Sequence, residues 1–268
     1  MLLSRSYGIS FPDIVHHTFM KSYRFLFFAL IVFCLLLFVG RELFFPIKNE
    51  SMCYGTTPQG SLKNGVQMPY SGNNFVSYGL LPVILGRTYV HSKVRTVILS
   101  AYRMLEREQP GKVFKYAETG FKHGGPFKPH KTHQNGLSVD FMVPVLDATG
   151  QSIHLPTHLF NQYGYQIEFD NTGHFKGYTL DNEALSAHIV VLHKVAKQHG
   201  MDISRVIFDP LLTLRLYQTK YGPYLRKHIN LSKKPSWVRH DEHYHVDFQV
   251  SCHTTHSKSF VSDKTSTP

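Results

Sequence analysis

Acidic side chains are in short supply: 18 Asp and Glu stand against 29 Lys and Arg, a formal net charge of +11 over 268 residues. The basic residues are scattered and form no dense run, and no nucleic-acid-binding motif accompanies them, so no nucleic-acid partner is expected. A solvated basic surface is the simplest reading, with a weak bias toward anionic partners. Any repeat of fixed period is also missing, which excludes solenoids and propellers. Apolar residues are not scarce, at 42% hydrophobic and 13% aromatic. Disorder throughout is therefore excluded, and one domain can bury a sizeable core.

Cysteine occurs three times. Cys34 lies inside an apolar run, which leaves Cys53 and Cys252 as one candidate pair near the two ends of the polar part of the chain. In an oxidising compartment their bridge would close almost the whole domain, a contribution of up to roughly 5 kcal/mol in the chain-entropy model. Two unrelated free thiols are the alternative.

The apolar run spans 25–40 and contains no charged residue, as a membrane-crossing segment requires. Arg5, Lys21 and Arg24 precede it, and this bias keeps 1–24 as a cytoplasmic tail and exports the rest. The segment after it has no small-x-small cleavage site, which favours an uncleaved inner-membrane anchor over a removed signal peptide. Residues 41–50 then read as a linker, 51–252 as the functional domain, and 253–268 as a polar disordered tail.

Within the domain, Cys53 to Asn74 reads as a loop-rich entry. Val94, Val97, Ile98, Ala101, Met104 and Leu105 recur at helical spacing and predict a helix over 92–108, stopped by Gln109-Pro110-Gly111. A second helix is expected over 182–199, capped by Asp181 and ended by Gly200. A third is expected over 211–220. Strands are expected over 112–117, 137–145, 204–209 and 243–250. The fold class is α+β, a small antiparallel sheet with flanking helices.

Two patches combine imidazoles with carboxylates: Pro129 to Asp140, and Trp237 to Asp247. With 18 histidines in the chain the spacing alone is a weak signal. Geometry strengthens it, because His243 and His245 are two apart on a strand and point to one face. Asp140 lies on the predicted strand opposite apolar Val139, Phe141 and Val143, and His133 sits on the loop entering it. Two imidazoles and a carboxylate make a hydrolytic zinc shell that leaves a position open for water. If His243 and His245 both bound the ion, the shell would close. His243 is therefore assigned the proton transfer, which leaves His133, Asp140 and His245 as metal ligands. His240 and His130 are candidates for supporting or substrate-contacting roles, and exposed histidines on polar loops are the competing reading. Lys122, Lys128 and Arg239 could grip a free substrate carboxylate. Asp241, Glu242, His174, His188, His193 and His199 read as solvated or packing residues.

The stretches Ser51-Met52-Cys53-Tyr54-Gly55, Gly124-Gly125-Pro126-Phe127, His130-x2-His133-Gln134-x-Gly136-Leu137-x-Val139-Asp140 and His240-Asp241-Glu242-His243-Tyr244-His245-Val246 together resemble the penicillin-insensitive murein endopeptidases. These belong to the wider lysostaphin, D-Ala-D-Ala metallopeptidase and hedgehog-type zinc fold. The resemblance covers about 51–252. It implies one zinc on His133, Asp140 and His245, catalytic roles for His243 and His240, and a Cys53–Cys252 bridge. It further implies a periplasmic enzyme that cuts peptide cross-links of peptidoglycan. Ser138 departs from the family, whose better-known members carry Asp there. A D,D-carboxypeptidase or dipeptidase acting on wall peptides and a non-catalytic, zinc-containing wall-binding module are the rival functions.

Overall fold

The computed structural model describes residues 28–31 and 50–254. The chain divides into two units, Met1–Lys48 and Asn49–Pro268. In the first, Phe28–Ile31 are helical. The rest of the expected tail and anchor, 1–24 and 25–40, lies outside the described residues, as do 255–268. Among the described residues no helix is long and apolar enough to cross a membrane, so the structure lends the anchor no support.

The second unit is α+β. Its strands are β1 (Met52–Thr56), β2 (Gln59–Lys63), β3 (Val66–Gln67), β4 (Phe75–Ser77), β5 (Tyr89–Val90), β6 (Phe114–Tyr116), β7 (Ser138–Met142), β8 (Val145–Leu146), β9 (Ser152–Ile153), β10 (His174–Phe175), β11 (Tyr178–Leu180), β12 (Asp202–Ile207) and β13 (His243–Gln249). The helices are α1 (Leu80–Ile84), α2 (Ser92–Glu108), α3 (Asn182–Gln198), α4 (Pro210–Leu216) and α5 (Gly222–His228). The entry expected to be a loop contains the hairpin β1–β2, which turns at Thr57-Pro58. Strands this short leave too little alternation to be read from sequence.

Helix α2 occupies the span its periodicity predicts. Val94, Val97, Ile98, Ala101 and Leu105 are buried along one stripe, and the His91 imidazole caps the first turn by accepting the Lys93 amide. In α3 the Asp181 carboxylate accepts the Ala184 amide, and the left-handed Gly200 follows its C-terminus. Burial of α3 extends well beyond the expected stripe, because α2, α4, α5 and β12 all pack against it. The expected third helix is shorter, ending at Leu216, and α5 follows as a separate element.

The main sheet has the order β12-β13-β7-β6-β4. It is antiparallel except for β4 and β6, which pair in parallel. The expectation of an antiparallel sheet is corrected at that edge: the link from β4 to β6 runs through α1, β5 and α2, a crossover long enough to reverse direction. All five residues of β7 are buried. Asp140 on its polar face is closed off by His133 and Tyr165.

Cys53 and Cys252 form a disulfide that closes a loop of 199 residues in sequence separation. His253, expected to open the disordered tail, is pinned to β1 by main-chain bonds to Cys53 and Gly55, both 2.9 Å.

Candidate metal centre

Register between β7 and β13 builds the floor of the site. Ser138 faces Asp247, Asp140 faces His245, and Met142 faces His243. Residues directly opposite in an antiparallel pair project to the same side, so one sheet face carries all of these polar groups. Asp140 Oδ1 lies 2.8 Å from His245 Nδ1, and the Ser138 hydroxyl donates to Asp247 Oδ1 at 2.6 Å.

His133 enters from the loop before β7, at φ 69°. Gly120 makes room for it: a Cβ at that position would lie 2.7 Å from the His133 carbonyl. The His133 Nδ1 sits 3.2 Å from the Thr119 carbonyl. A carbonyl only accepts, so Nδ1 carries the proton and Nε2 presents a lone pair. That Nε2 is buried without a hydrogen-bond partner and lies 3.3 Å from Asp140 Oδ1. Two acceptors facing each other in a buried site call for a cation between them.

His245 repeats the pattern from the other side. Its Nε2 is 2.9 Å from Asp247 Oδ1. Asp247 is itself fixed as an acceptor by Ser138 and by Arg205, whose Nε and Nη2 lie at 3.0 and 2.5 Å. With Nε2 donating to Asp247, His245 Nδ1 is left facing the same Asp140 oxygen that His133 faces. Burial disfavours an imidazolium here, yet Asp247 and Asp140 outweigh it and raise the His245 pKa to about 9. The site thus demands positive charge, from a proton or from a metal that displaces it. Burial works against the Asp140 carboxylate as well, and the imidazoles still hold its pKa well below the usual range.

Among the described residues, the group found able by distance to hold a metal ion is His130, His133 and Asp140, with one donor atom from each lying within 4.8 Å of the others. His130 approaches the other carboxylate oxygen, with Nδ1 3.7 Å from Asp140 Oδ2, and its Nε2 is committed to Glu118 at 2.5 Å. Burial favours the neutral Glu118 acid, but His130 and the Arg87 guanidinium prevail and bring its pKa to about 2. Tyr165 donates its hydroxyl to Asp140 Oδ2 at 3.0 Å.

Beside this floor, the His243 Nδ1 is 2.7 Å from Glu242 Oε1, and the His240 ring centroid is 4.5 Å from that of His243. Burial lowers both imidazoles to about 4. Glu242 and Asp241, expected to be solvated or packing side chains, are buried and hydrogen-bonded, and burial raises their pKa values to about 8 and about 7. Arg239 is turned away from the metal-binding group: its Nε donates to Asp209 at 2.9 Å and its Nη1 to the Phe169 carbonyl at 2.7 Å.

A cleft of about 580 Å³ opens onto these groups. Tyr78, Tyr163, Tyr165 and Trp237 supply aromatic wall, and Glu118, His130, His240, His243 and His245 supply the polar lining. Lys122, Lys128 and Arg239 do not line it, and Lys131 does. Glu118, Tyr165 and Lys131 carried no motif in the sequence. Asp247 did carry a signal: it is two residues beyond His245 and continues the period-two face begun at His243.

An α+β domain whose sheet face and covering loops enclose a buried His/Asp group able to hold a metal, beside an aromatic-walled cleft, has the layout of an active or ligand-binding site. The chain belongs to the penicillin-insensitive murein endopeptidase family, whose model matches residues 53–264. It is accordingly a peptidase of a family that acts on murein, the peptidoglycan of the cell envelope. A search of curated proteins gave no match to the chain.

Proposed function

We propose that the chain is a zinc-dependent endopeptidase that hydrolyses peptide cross-links of peptidoglycan, with His133, Asp140 and His245 as the zinc ligands. The observation that carries this reading is the convergence of His133 Nε2 and His245 Nδ1 on one oxygen of Asp140, with the opposite nitrogens occupied by Thr119 and Asp247. His130 is the poorer third ligand, since its Nδ1 faces the other Asp140 oxygen, and at 3.7 Å against 2.8 Å for His245. A two-His, one-carboxylate set with room beside it suits a catalytic zinc.

When bound, zinc would act as a Lewis acid that acidifies water and polarises the scissile carbonyl. His243 takes the proton from the attacking water and returns it to the leaving amine. Its burial keeps the imidazole neutral at pH 7 and so able to accept, and Glu242 orients the ring through Nδ1. His240, adjacent and also neutral, supports the relay. Tyr165 holds the outer oxygen of Asp140 in place, and Asp247 holds His245. The apolar run at 25–40 and the Cys53–Cys252 bridge suit an envelope address on the periplasmic side of the inner membrane.

The deciding experiment incubates the zinc-loaded full chain with purified cross-linked muropeptide dimers and identifies products by mass spectrometry. Monomers are expected. Loss of one terminal residue would make the protein a carboxypeptidase, and unchanged dimers would make it a binding module.

A further inference from the structure

Among the described residues, two side chains of permanent positive charge line the cleft, Lys131 and Arg205. Arg205 is spent on Asp247, to which it gives two hydrogen bonds. The guanidinium groups nearby are spent in the same way, Arg87 on Glu118 and Arg239 on Asp209. Lys131 differs: among the described residues it has no carboxylate partner, and its Nζ sits 5.1 Å from the centroid of the Trp237 ring. That contact joins the loop bearing His130 and His133 to the loop bearing His240. An aromatic face holds an ammonium in place without neutralising it. Trp237 is 60% exposed, so the pair stands at the mouth of the cleft, where a ligand meets it first.

We propose that Lys131, held by Trp237, binds a free carboxylate of the peptide substrate and so selects acidic peptides over their amidated counterparts. The proposal rests on the peptidase reading of the same cleft. A cation without a protein counter-ion, beside buried groups whose charges are otherwise paired, is the natural partner for a substrate anion. The buried acids Glu118 and Asp140 are balanced by His130, Arg87 and the metal-binding group, and leave the charge on Lys131 uncompensated. Peptides offer two sources of such a group, the C-terminal carboxylate and a side-chain carboxylate, and the test separates them.

Trp237 is the sole tryptophan of the chain, so its fluorescence reports binding at this position. Cross-linked wall peptides with all carboxylates free, with the C-terminus amidated, or amidated throughout are mixed rapidly with the zinc-loaded full chain, and the signal is read before turnover. The free peptide should bind about tenfold more tightly than the fully amidated one, the size expected for one accessible hydrogen bond to a charged group. Lys131→Met should bind both with the affinity of the amidated form, and Lys131→Arg should keep the preference. Loss of preference on C-terminal amidation alone assigns the terminal carboxylate, and loss only on full amidation assigns a side chain. Equal binding of free and amidated peptides by the unmodified protein, or an undiminished preference in Lys131→Met, overturns the proposal. Products are collected from the same mixtures: an intact preference without cleavage would sink the peptidase reading and leave the carboxylate site standing.

Discussion

His188 on α3 and His245 on β13 are buried to nearly the same degree, 1% and 3% exposed, in opposite surroundings. Around His188 stand the rings of Tyr102, Phe114, Phe141 and Tyr244. Its Nδ1 meets the Tyr244 hydroxyl, its Nε2 has no partner, and burial lowers its pKa to about 3. His245 has a carboxylate on each nitrogen, and its pKa moves the other way. Burial alone therefore does not make a histidine functional. The number of carboxylates around the ring decides whether the site resists positive charge or demands it.

The strongest way to break this contrast is to remove the shared carboxylate. Asp140→Ala should lose bound zinc, read by elemental analysis, and with it all detectable cleavage of muropeptide dimers. A variant that retained one zinc per chain would show that Asp140 is not a ligand. Next, His243→Ala should lower kcat by about 10²- to 10⁴-fold while zinc content is unchanged, as expected when a proton-transfer group is lost. Loss of zinc in that variant would mean that the roles of His243 and His245 are exchanged.

Asp247→Asn leaves His245 in place but weakens the group that orients it, and should reduce zinc affinity by about 10- to 100-fold in a chelator competition. In the same assay His130→Ala should change affinity by less than that. A larger loss for His130 than for Asp247 would transfer the third ligand to His130.

The smallest effect belongs to the aromatic site. The folded pKa of His188, about 3, lies below its ordinary value of 6.5. The unfolded chain therefore takes the proton first as pH falls. Stability from keeping His188 neutral is complete above about pH 6.5 and is lost toward pH 3, by about 1.4 kcal/mol per pH unit. His188→Phe should flatten the difference in chemical-denaturation stability between pH 7 and pH 5 by about 2 kcal/mol. An unchanged difference would place the acid sensitivity elsewhere.

Much of this architecture can be read locally. Apolar spacing and the Pro-Gly stop define α2, and the Asp181 cap with the final glycine defines α3 to within a residue. The short strands β8 to β11 escape notice because two or three residues carry no periodicity, and the parallel pairing of β4 with β6 depends on a crossover that neither strand encodes. At the site, His133, Asp140, His243 and His245 stand out by residue type and spacing. Glu118 and Tyr165 do not, because each is an isolated polar residue that reaches the site only through the path of its loop. Arg239, attractive beside two histidines in the sequence, is drawn off by Asp209 and the Phe169 carbonyl.

What the sequence by itself determines here is the set of local elements and the chemical kinds of donor available, since capping, periodicity and residue type act over a few neighbours. Only the tertiary structure decides that Asp140 stands opposite His245, that Glu118 occupies His130, and that Lys131 meets Trp237. Strand pairing joins Asp140 to His245 across 105 positions of sequence, and a slip of one residue between β7 and β13 would turn the carboxylate and the imidazole to opposite faces.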